Sequence, residues 1–557
     1  MDKLKVLMCS EASFLSSGFG TYAKEILSRL HNTNKYQIAE FASYAVVNDS
    51  RDKDIKWRFY ANAVKDDDPR HSEYVSRQDN QFGRWRFEKV LLDFKPDVVI
   101  DVRDYWMSFY QGLSPLRKYF HWILMPTVDS EPQQEDWIDT FLDADAIFTY
   151  SDWGADVLKK QSGNKINYIN TASPGVDLSV FNLIQDTKGL KTKFGIEQDT
   201  IIIGSVMRNQ KRKLIPELLF TFRKLLDRLE TENPKLGEKL YLYLHTSYPD
   251  AGWDIPELLK ETRLSNKVLF TYYCGRCGDV EAHTFSHPVK TCKKCYEPTC
   301  RLPSVALGVT NKTLSEIYNM FDIYVQYAIC EGFGMPQVEA AACGVPIITV
   351  DYSAMCDIIH KLDAYKVKIQ TKFKELETKA LRVYPNNDDL IHHILSFLNM
   401  PDSIRAQKRQ TTRLLTEKHY NWDHIAKIWE NYLDSLDRSQ YRSNWNQEPV
   451  ILPELNDNDW QQASPKNMIM HLANACLKNL NDQSKISSMF ILNMYKDIMY
   501  GFSQSGTQYS PFDKNKAIEM IKSIVRNNNQ AEYARINNLK FEDDFIEYAH
   551  IKERINQ

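Results

Sequence analysis

Residues 330–350 read CEGFGMPQVEAAACGVPIITV, and this stretch carries a clear local signal for structure. The two glycines near its start predict a loop, Pro336 suits the first position of a helix, and Gly344 suits the C-terminal end of that helix. The apolar run Ile347–Val350 then predicts a buried strand. The stretch is therefore typical of a loop, a short helix and a strand in an α/β domain.

The same stretch has the groups needed to hold a phosphorylated ligand. Glycines directly before a helix let the backbone approach a ligand closely, and the free N–H groups of the first helical turn favour phosphate. Glu331 and Glu339 lie at the two ends of the unit and can accept hydrogen bonds from hydroxyl groups. A nucleotide sugar, with hydroxyls on both sides of its phosphates, fits this pattern. The alternative is an ordinary α/β connection with surface glutamates.

With its glycines, its proline and its Cys-Gly-Val-Pro ending, the stretch resembles the E-x7-E motif of retaining glycosyltransferases of the GT-B fold, family 4 type. The resemblance covers about residues 4–437 and implies an α/β fold with two Rossmann-like domains facing a cleft. It implies that Glu339 holds the nucleotide ribose and that Glu331 contacts the transferred sugar. The donor-binding loop would also include Gly334, Met335 and Pro336.

A second glycine loop follows the first predicted strand, Lys5–Cys9, and precedes a predicted helix at Tyr22–Leu30. A Gly-x-Gly sequence alone is more often a tight turn than a phosphate site. The family resemblance implies that this loop faces the donor diphosphate across the cleft. Gly18 and Gly20 are therefore expected on the donor side.

A cluster of cations follows the strand predicted at Thr200–Arg208. Such a cluster is usually a solvated basic turn. The resemblance instead assigns Arg208 and Lys213 to the donor diphosphate, where their charge would stabilise the leaving nucleoside diphosphate. The expected donor is a sugar linked to UDP or GDP.

Two predicted parallel strands of the first domain end in charged side chains. Because ligands of α/β sheets bind at the carboxyl ends of strands, Arg103, Asp104 and Asp129 are expected to face the cleft. The family usually has a histidine near one of these strand ends, and this sequence lacks an obvious one. Asp104 or Asp129 can take its place as a catalytic group. The alternative for each acid is a capping or salt-bridged role.

Four cysteines have the spacing of a metal site. Cys274 and Cys277 form one C-x2-C pair, and Cys292 and Cys295 form a second. Two such pairs can place four thiolates around Zn²⁺, and disulfides are disfavoured in a cytosolic protein. The spacing predicts a structural zinc ribbon that interrupts the family pattern. Substitute ligands, less favoured, are Cys300, His283 and His287.

These features predict a domain order along the chain. The first Rossmann-like domain would carry the acceptor side, and the second would bind the nucleotide sugar. Periodic apolar residues near the C-terminus predict an all-helical domain. The predicted bounds are 1–190 for the first domain, 191–385 for the second, 270–303 for the ribbon inserted in it, 386–440 for crossover helices, and 446–557 for the helical domain.

Composition narrows the class of protein. Of 557 residues, 43% are hydrophobic and 26% charged, which is typical of a globular chain, and the net charge of -3 gives no general signal for nucleic acid. The first residues form no signal peptide, and no stretch reaches the roughly 18 apolar residues of a membrane span. We expect a cytoplasmic protein, in the host cytoplasm if the source is viral.

The acceptor is the least determined part of the prediction. The ribbon, the helical domain, and the aromatic and basic segments 84–87 and 103–106 favour a macromolecular acceptor. A hydroxymethylated base in DNA is one hypothesis, since a flipped base needs exposed aromatics beside cations. Surface glycan or polysaccharide synthesis is the alternative acceptor hypothesis. An inactive GT-B protein that only binds a glycan or nucleotide is the alternative from another functional class.

Overall fold

A computed structural model describes residues 3–114, 116–304 and 308–437, together with single residues between 445 and 529. The helical domain predicted at 446–557 lies almost entirely outside the described residues. None of the described helices combines the length and apolar character that a membrane-spanning helix needs.

The first domain contains a seven-stranded sheet in which all strands are parallel. Its strands are β1 (Leu4–Glu11), β2 (Tyr36–Val46), β3 (Arg58–Ala63), β4 (Val98–Asp101), β5 (His121–Leu124), β6 (Ala146–Thr149) and β7 (Tyr168–Thr171). Their spatial order is β3-β2-β1-β4-β5-β6-β7. Strands such as β4 are buried along their whole length, because helices cover both faces of a parallel sheet.

The helices of the first domain follow these strands. They are α1 (Gly18–Asn32), α2 (His71–Val75), α3 (Phe87–Phe94), α4 (Tyr105–Ser108), α5 (Glu135–Asp143) and α6 (Asp152–Gln161), with short 3-10 helices at Ser50–Asp54, Gln78–Phe82, Arg84–Arg86, Phe109–Gln111 and Arg117–Tyr119. Serine side chains cap two of the longer helices, with Ser17 accepting from Gly20 N–H and Ser151 accepting from Gly154 N–H. Helix α7 (Thr187–Lys193) lies in the connection to the second domain.

The second domain contains a nine-stranded sheet. Its strands are β8 (Ile201–Val206), β9 (Leu240–His245), β10 (Val268–Cys274), β11 (Val280–Thr284), β12 (Val289–Lys290), β13 (Cys300–Arg301), β14 (Ile323–Gln326), β15 (Ile347–Val350) and β16 (Tyr365–Val367). The order is β12-β13-β10-β9-β8-β14-β15-β16, with β11 also paired to β10. The adjacent strands β10, β9, β8, β14, β15 and β16 pair in parallel. By contrast, β11 and β13 each pair antiparallel with β10.

Helices and one hairpin complete the second domain. The helices are α8 (Ile215–Glu232), α9 (Pro234–Lys239), α10 (Ile255–Glu261), α11 (Asn311–Asn319), α12 (Met335–Ala342), α13 (Met355–Leu362) and α14 (Asn387–Leu398). The antiparallel hairpin consists of β17 (Ile369–Lys374) and β18 (Leu381–Pro385). The loop, helix and strand predicted from residues 330–350 are thus present as α12 and β15.

Two further helices return the chain from the second domain to the first. Helix α15 (Asp402–His419) packs against α12 and α13, and α16 (Trp422–Ser435) packs against α1. The Trp429 ring stacks on Phe148 at 4.1 Å between centroids, and its Nε1 donates to Tyr22 Oη at 2.8 Å. Aromatic packing of this kind holds the last described helix on the first domain.

A buried carboxylate also joins the two domains. Asp357 on α13 accepts hydrogen bonds from the backbone N–H groups of Asp152 and Trp153, at 2.8 and 3.1 Å. These N–H groups belong to the first turn of α6 in the other domain, where a negative charge is favourable. Lys361 lies 2.9 Å from Asp357 and 2.8 Å from Asp152, so an ion-pair network reinforces this contact beside the cleft.

Candidate functional site

The carboxyl edge of the first sheet gathers several polar and aromatic side chains. The strand register aligns five residues across β2, β1, β4, β5 and β6, namely Phe41, Cys9, Asp101, Leu124 and Ile147. Three residues after each of these come Tyr44, which is still in β2, and Ala12, Asp104, Thr127 and Tyr150, which follow the ends of their strands. Glu11, at the end of β1, pairs in register with Ser43. This row is the edge at which ligands of parallel sheets bind.

The donor-side loop of the second domain touches this row. A Cβ atom added to Gly332 would lie 2.3 Å from Thr127 Cγ2, so only glycine allows the two segments to approach so closely. Both domains therefore contribute residues to one cleft.

Asp104 lies in the row, as predicted for an acid at this strand end. Burial, and then the carboxylates of Asp129 and Glu11, raise the pKa of Asp104 to about 6, opposed first by a hydrogen bond with Thr127 and then by Arg212. The structure therefore brings Asp104 near Arg212 of the second domain. Its predicted catalytic role stays a prediction.

The expectation that Arg103 faces the cleft is wrong. Its side chain is 1% exposed, and its Nε lies 3.2 Å from both carboxylate oxygens of Asp101. Its Nη1 donates to Ser43 Oγ at 2.8 Å and to the Phe82 carbonyl at 2.6 Å. The acid two residues earlier and nearby oxygen acceptors satisfy the guanidinium inside the domain, where an unpaired charge would be costly.

The predicted aromatic and basic acceptor surface is wrong for three of its eight residues. Arg86 and Phe87 are buried, like Arg103, and Arg86 Nη1 donates to the Ala61 carbonyl at 3.0 Å. Of the aromatic residues in the two segments, Trp106 is the exposed one, at 44%. Arg86, Phe87 and Arg103 therefore belong to the interior of the first domain, and for the other five residues the acceptor surface stays a prediction.

Asp129 lies at the contact between the two domains. Its Oδ1 accepts from Arg382 Nη1 at 2.9 Å, and its Oδ2 lies 3.3 Å from the sulfur of Cys330. Arg382 also binds Glu375 at 2.8 Å. Asp129 is therefore next to the residue that precedes Glu331, but it is already paired with a cation.

The segments that follow β8 and β14 run side by side, because these two strands are neighbours in the sheet. Leu214 N–H donates to the Tyr327 carbonyl at 3.2 Å, and Ile329 N–H donates to the Arg212 carbonyl at 3.0 Å. This pairing brings Lys213 to Glu331, although they are far apart in the sequence.

Glu331 is the centre of a buried polar network. Its carboxylate accepts from Lys213 Nζ, from Gln326 Nε2, and from Arg212 Nη1 at 2.9 Å. Although burial acts to raise it, Lys213 and then Arg212 lower the pKa of Glu331 to about 2. Glu331 is therefore ionised at neutral pH, and its position is fixed by several donors.

The two cations assigned from the sequence occupy different surroundings. Lys213 is buried against Glu331, whereas Arg208 is 49% exposed and forms a two-bond pair with Asp250, at 2.9 Å for both contacts. Arg212, to which the sequence prediction gave no role, contacts Glu331 instead. The signal that could have indicated it was its place directly beside Lys213 in the same basic turn.

Helix α12 begins at this network. Gly334 caps it with a left-handed backbone (φ +88), and an added Cβ there would lie 2.5 Å from Gln337 Nε2. Met335 and Pro336 begin the first turn. Pro336 has no N–H and Gln337 N–H donates to the Gly334 carbonyl at 3.1 Å, so of these three residues Met335 offers the backbone donor for a phosphate. We call Arg212, Lys213, Glu331 and the first turn of α12 the donor wall.

The predicted glycine loop of the first domain lies opposite. A Cβ added to Gly18 would lie 4.0 Å from the sulfur of Met335, so the two glycine loops meet across the cleft. Gly18 and Gly20 lie in the first turn of α1, which begins four residues before the predicted start at Tyr22. A Cβ on Gly20 would lie 2.7 Å from the carbonyl oxygens of Ala12 and Leu15, so glycine lets this turn pack closely against the preceding loop.

Glu339 lies within α12, eight residues after Glu331 in the chain, and is buried. Burial raises the pKa of Glu339 to about 7, and the hydroxyl of Tyr318, which donates to its Oε2 at 2.7 Å, opposes that effect. This carboxyl group can therefore change its protonation state near neutral pH.

The loop after β15 supports the start of the donor wall. Ser353 adopts a left-handed conformation (φ 54), and its Oγ accepts a hydrogen bond from Glu331 N–H at 2.9 Å. Ser353 thus helps to fix the backbone at Glu331.

The four cysteines predicted to bind zinc form a cluster in the ribbon at the edge of the second sheet. All four sulfur atoms lie within 4.8 Å of one another, and Cys274–Cys295 and Cys277–Cys292 are each 3.6 Å apart. Sulfur atoms around a tetrahedral Zn²⁺ are about 3.8 Å apart, given a Zn–S distance of about 2.3 Å. The cluster therefore fits a zinc ion. The substitute ligands His283 and His287 contact backbone oxygens instead.

Comparison with known proteins supports a GT-B-like fold. Residues 304–414 match the family model described as Glycosyl transferases group 1. An uncharacterized glycosyltransferase of Methanocaldococcus jannaschii is 27% identical over 134 residues, or 24% of this chain and 30% of that protein. A D-inositol 3-phosphate glycosyltransferase of Streptomyces bingchenggensis is 23% identical over 212 residues, or 38% of this chain and 39% of that protein. The matches thus span well under two thirds of these relatives.

Solved structures match over a larger share of the chain. Sucrose-phosphate synthase of Thermosynechococcus elongatus has a TM-score of 0.54 at 16% identity, covering 79% of this chain and 100% of that one. Anabaena HepE in complex with UDP and glucose has a TM-score of 0.51 at 11% identity, covering 78% and 100%. Together with the family model, these matches support an α/β, GT-B-like fold related to group 1 glycosyl transferases.

Proposed function

We propose that this protein is a retaining glycosyltransferase that moves a sugar from a nucleotide-diphosphate sugar to an acceptor hydroxyl. The donor wall is the observation that carries the proposal. It combines a buried acid, two cations and a helix N-terminus. Glu339, further along α12, is proposed to bind the ribose. The names of two structural neighbours mention UDP and a UDP sugar analogue, which supports UDP over GDP as the nucleotide.

In the proposed reaction, the bond between the sugar carbon and the diphosphate oxygen breaks while the acceptor oxygen forms a bond to the same carbon. The acceptor proton passes to the departing phosphate oxygen, so no separate side-chain base is required. Lys213 and Arg212, with Arg208 as the sequence predicts, stabilise the charge that develops on the leaving diphosphate. Glu331 holds hydroxyls of the transferred sugar, and its fixed position orients the donor.

Two classes of acceptor are proposed. A macromolecular acceptor, including a hydroxymethylated base in DNA, is one proposal, and a surface glycan or polysaccharide is the other. A protein that only binds the nucleotide would not need Glu331, which the proposal assigns to the transferred sugar. We also propose domain bounds at 190 and 385. A cytoplasmic location is proposed as well.

The direct test is turnover of labelled nucleotide sugars. Purified protein is given UDP- and GDP-linked hexoses and pentoses, first alone and then with hydroxymethylated DNA, unmodified DNA or oligosaccharides. We expect slow release of nucleoside diphosphate from one donor, and faster release with label transfer when the right acceptor class is present. Binding of a nucleotide with no release under any condition would favour the inactive protein instead.

We also propose that the cysteine cluster holds one structural zinc ion through Cys274, Cys277, Cys292 and Cys295. A site with four thiolates has no open coordination position, so its effect is on folding and not on the reaction. The ribbon extends β10, which is part of the donor domain.

Elemental analysis should find about one zinc per chain in the wild type and none in Cys277→Ser/Cys292→Ser. That variant should also unfold at a lower temperature, because metal binding contributes folding free energy. Cys356→Ser, a half-buried cysteine outside the cluster, is the matched control and should keep its zinc. A fully folded, metal-free wild type would contradict the proposal.

A further inference from the structure

The cleft wall opposite the donor wall carries acids without bound cations. Neither Glu11 nor Asp104 forms an ion pair with any basic side chain of the described residues. Arg212, the cation that acts on Asp104, is already bound to Glu331 at 2.9 Å. Glu11 Oε2 accepts from Ser17 Oγ and Asp104 is hydrogen-bonded by Thr127, and the remaining lone pairs of the two carboxylates stay available as hydrogen-bond acceptors.

A buried phenol lies near these two acids. Tyr150 is 6% exposed, and its hydroxyl has no hydrogen-bond partner among the described residues. Tyr150 lies in the same row as Asp104, and the carboxylates of Asp104 and Glu11 are among the charges that act on it. A buried hydroxyl is rarely left unpaired unless a ligand or water supplies the partner.

An exposed aromatic ring lies at the same edge. Tyr44 is 40% exposed and has φ 61, a backbone conformation that a non-glycine residue rarely adopts. The register between β2 and β3 shifts between Ala42 and Val46, so a bulge changes the direction of the strand at Tyr44. The ring packs edge-on against Phe82, at 6.2 Å between centroids. An aromatic face beside acids suits a ring that carries many hydroxyls.

Charge selects among the acceptors left open above. A phosphate placed beside Glu11 and Asp104 would meet like charges, and Arg212, the cation that acts on Asp104, is already paired with Glu331, so a phosphate is disfavoured there. Hydroxyl groups would instead donate to the two carboxylates and accept from the phenol of Tyr150. We call Glu11, Tyr44, Asp104 and Tyr150 the acceptor wall.

We infer that the acceptor is an uncharged sugar or polyol ring that stacks on Tyr44 and binds Glu11, Asp104 and Tyr150 through its hydroxyls. This inference rests on the proposed function, because it identifies the second substrate of the same cleft. It places DNA and phosphorylated sugars outside the acceptor class.

Paired acceptors test the inference. Methyl α-glucoside, methyl α-mannoside, myo-inositol and maltotriose are offered with the donor, beside glucose 6-phosphate, mannose 6-phosphate, inositol 3-phosphate and hydroxymethylated DNA. We expect at least one neutral compound to be glycosylated or to bind the UDP-loaded protein. Its phosphorylated counterpart should be at least about tenfold poorer in kcat/KM.

Variants separate the two substrates. Tyr44→Ala should raise the KM for the neutral acceptor about tenfold through loss of an aromatic contact, and Tyr44→Phe should restore it. Asp104→Asn should also raise that KM, and Glu11→Lys should shift preference towards the phosphorylated compound. UDP binding should be unchanged in all of these variants, which shows that they fold.

The outcomes distinguish the two proposals. If UDP binds but every neutral compound is neither bound nor glycosylated, the inference is overturned while the donor assignment stands. Preference for the phosphorylated compounds or DNA, or an unchanged KM in Tyr44→Ala, also overturns it. If UDP itself does not bind, the proposed function fails first.

Discussion

The two walls of the cleft differ in whether their charged side chains are paired with opposite charges. On the donor wall, Lys213 and Arg212 are held in place by Glu331, so the cations are fixed before any ligand arrives. On the acceptor wall, Glu11 and Asp104 lack such partners among the described residues, and the Tyr150 hydroxyl is unpaired. A fixed cationic wall suits an anionic donor, and an acidic wall with open acceptors suits a neutral, hydroxylated second substrate.

Under the proposed function, this contrast separates the binding of the donor from that of the acceptor. The cations and the helix N-terminus would attract the diphosphate, and the acids opposite would repel it. The proposal therefore expects a single donor orientation, with the phosphates on the second domain. Changes on one wall should leave binding to the other wall intact.

The largest expected effect comes from breaking the donor wall. Lys213→Ala removes a buried cation from the leaving group and should lower donor hydrolysis and transfer by about 10²- to 10³-fold. Arg212 still pairs with Glu331 in this variant, so the fold should be kept. The assay is release of nucleoside diphosphate, and Lys211→Ala, an exposed neighbour, is the control. Near-normal turnover in Lys213→Ala would remove the basis for the donor wall.

The next effect depends on pH. Ribose hydroxyls would donate to the ionised form of Glu339, and burial raises the pKa of this group in the free protein to about 7. UDP affinity should therefore be complete above that pKa and should fall as the pH drops through it, approaching about tenfold per pH unit. Titration calorimetry between about pH 8 and pH 5.5 measures this dependence.

Glu339→Gln is the matched control for the pH dependence. It should bind UDP more weakly at high pH and should lack the component due to Glu339. Protonation of the UDP phosphate affects both proteins equally, so the difference between them isolates the side chain. Identical pH profiles in the two proteins would show that Glu339 does not touch the nucleotide.

The smallest effect concerns the edge of the donor wall. Arg208 is held by Asp250 in a half-exposed pair, which is worth at most about 1 kcal/mol. If Arg208 binds the diphosphate, Asp250→Asn should free it and strengthen UDP binding by up to about fivefold. The double variant Arg208→Ala/Asp250→Asn should lose this gain. Equal affinities in the wild type and both variants would place Arg208 outside the donor site.

The donor wall could largely be predicted because its residues lie in two short segments with local patterns. Glu331, Gly334, Pro336 and Glu339 are fixed by one loop and helix, and Lys213 follows one strand. What the sequence did not indicate was the partner of each cation. That choice depends on the pairing of the segments after β8 and β14, which brings Arg212 to Glu331 and leaves Arg208 to Asp250.

The acceptor wall was harder because it is assembled from the ends of several strands. Asp104 was predicted from its strand. The position of Tyr44 depends on the register shift in β2 and on the left-handed backbone of Tyr44 itself, and no turn motif in the sequence indicates either. Arg103 was predicted to face the cleft because it follows a strand. In the structure its guanidinium instead binds Asp101 and Ser43 in the interior of the first domain. Burial of a charged residue depends on partners distant in sequence, which a single strand pattern does not contain.

The most direct test of the account is calorimetric titration of UDP and GDP into the wild type, Lys213→Ala and Glu11→Gln. We predict one nucleotide site per chain in the wild type, loss of binding in Lys213→Ala, and unchanged binding in Glu11→Gln. That result would separate the two walls by their ligands. Failure of both nucleotides to bind the wild type, or equal binding in Lys213→Ala, would contradict the claim that the second domain holds a nucleotide-sugar donor.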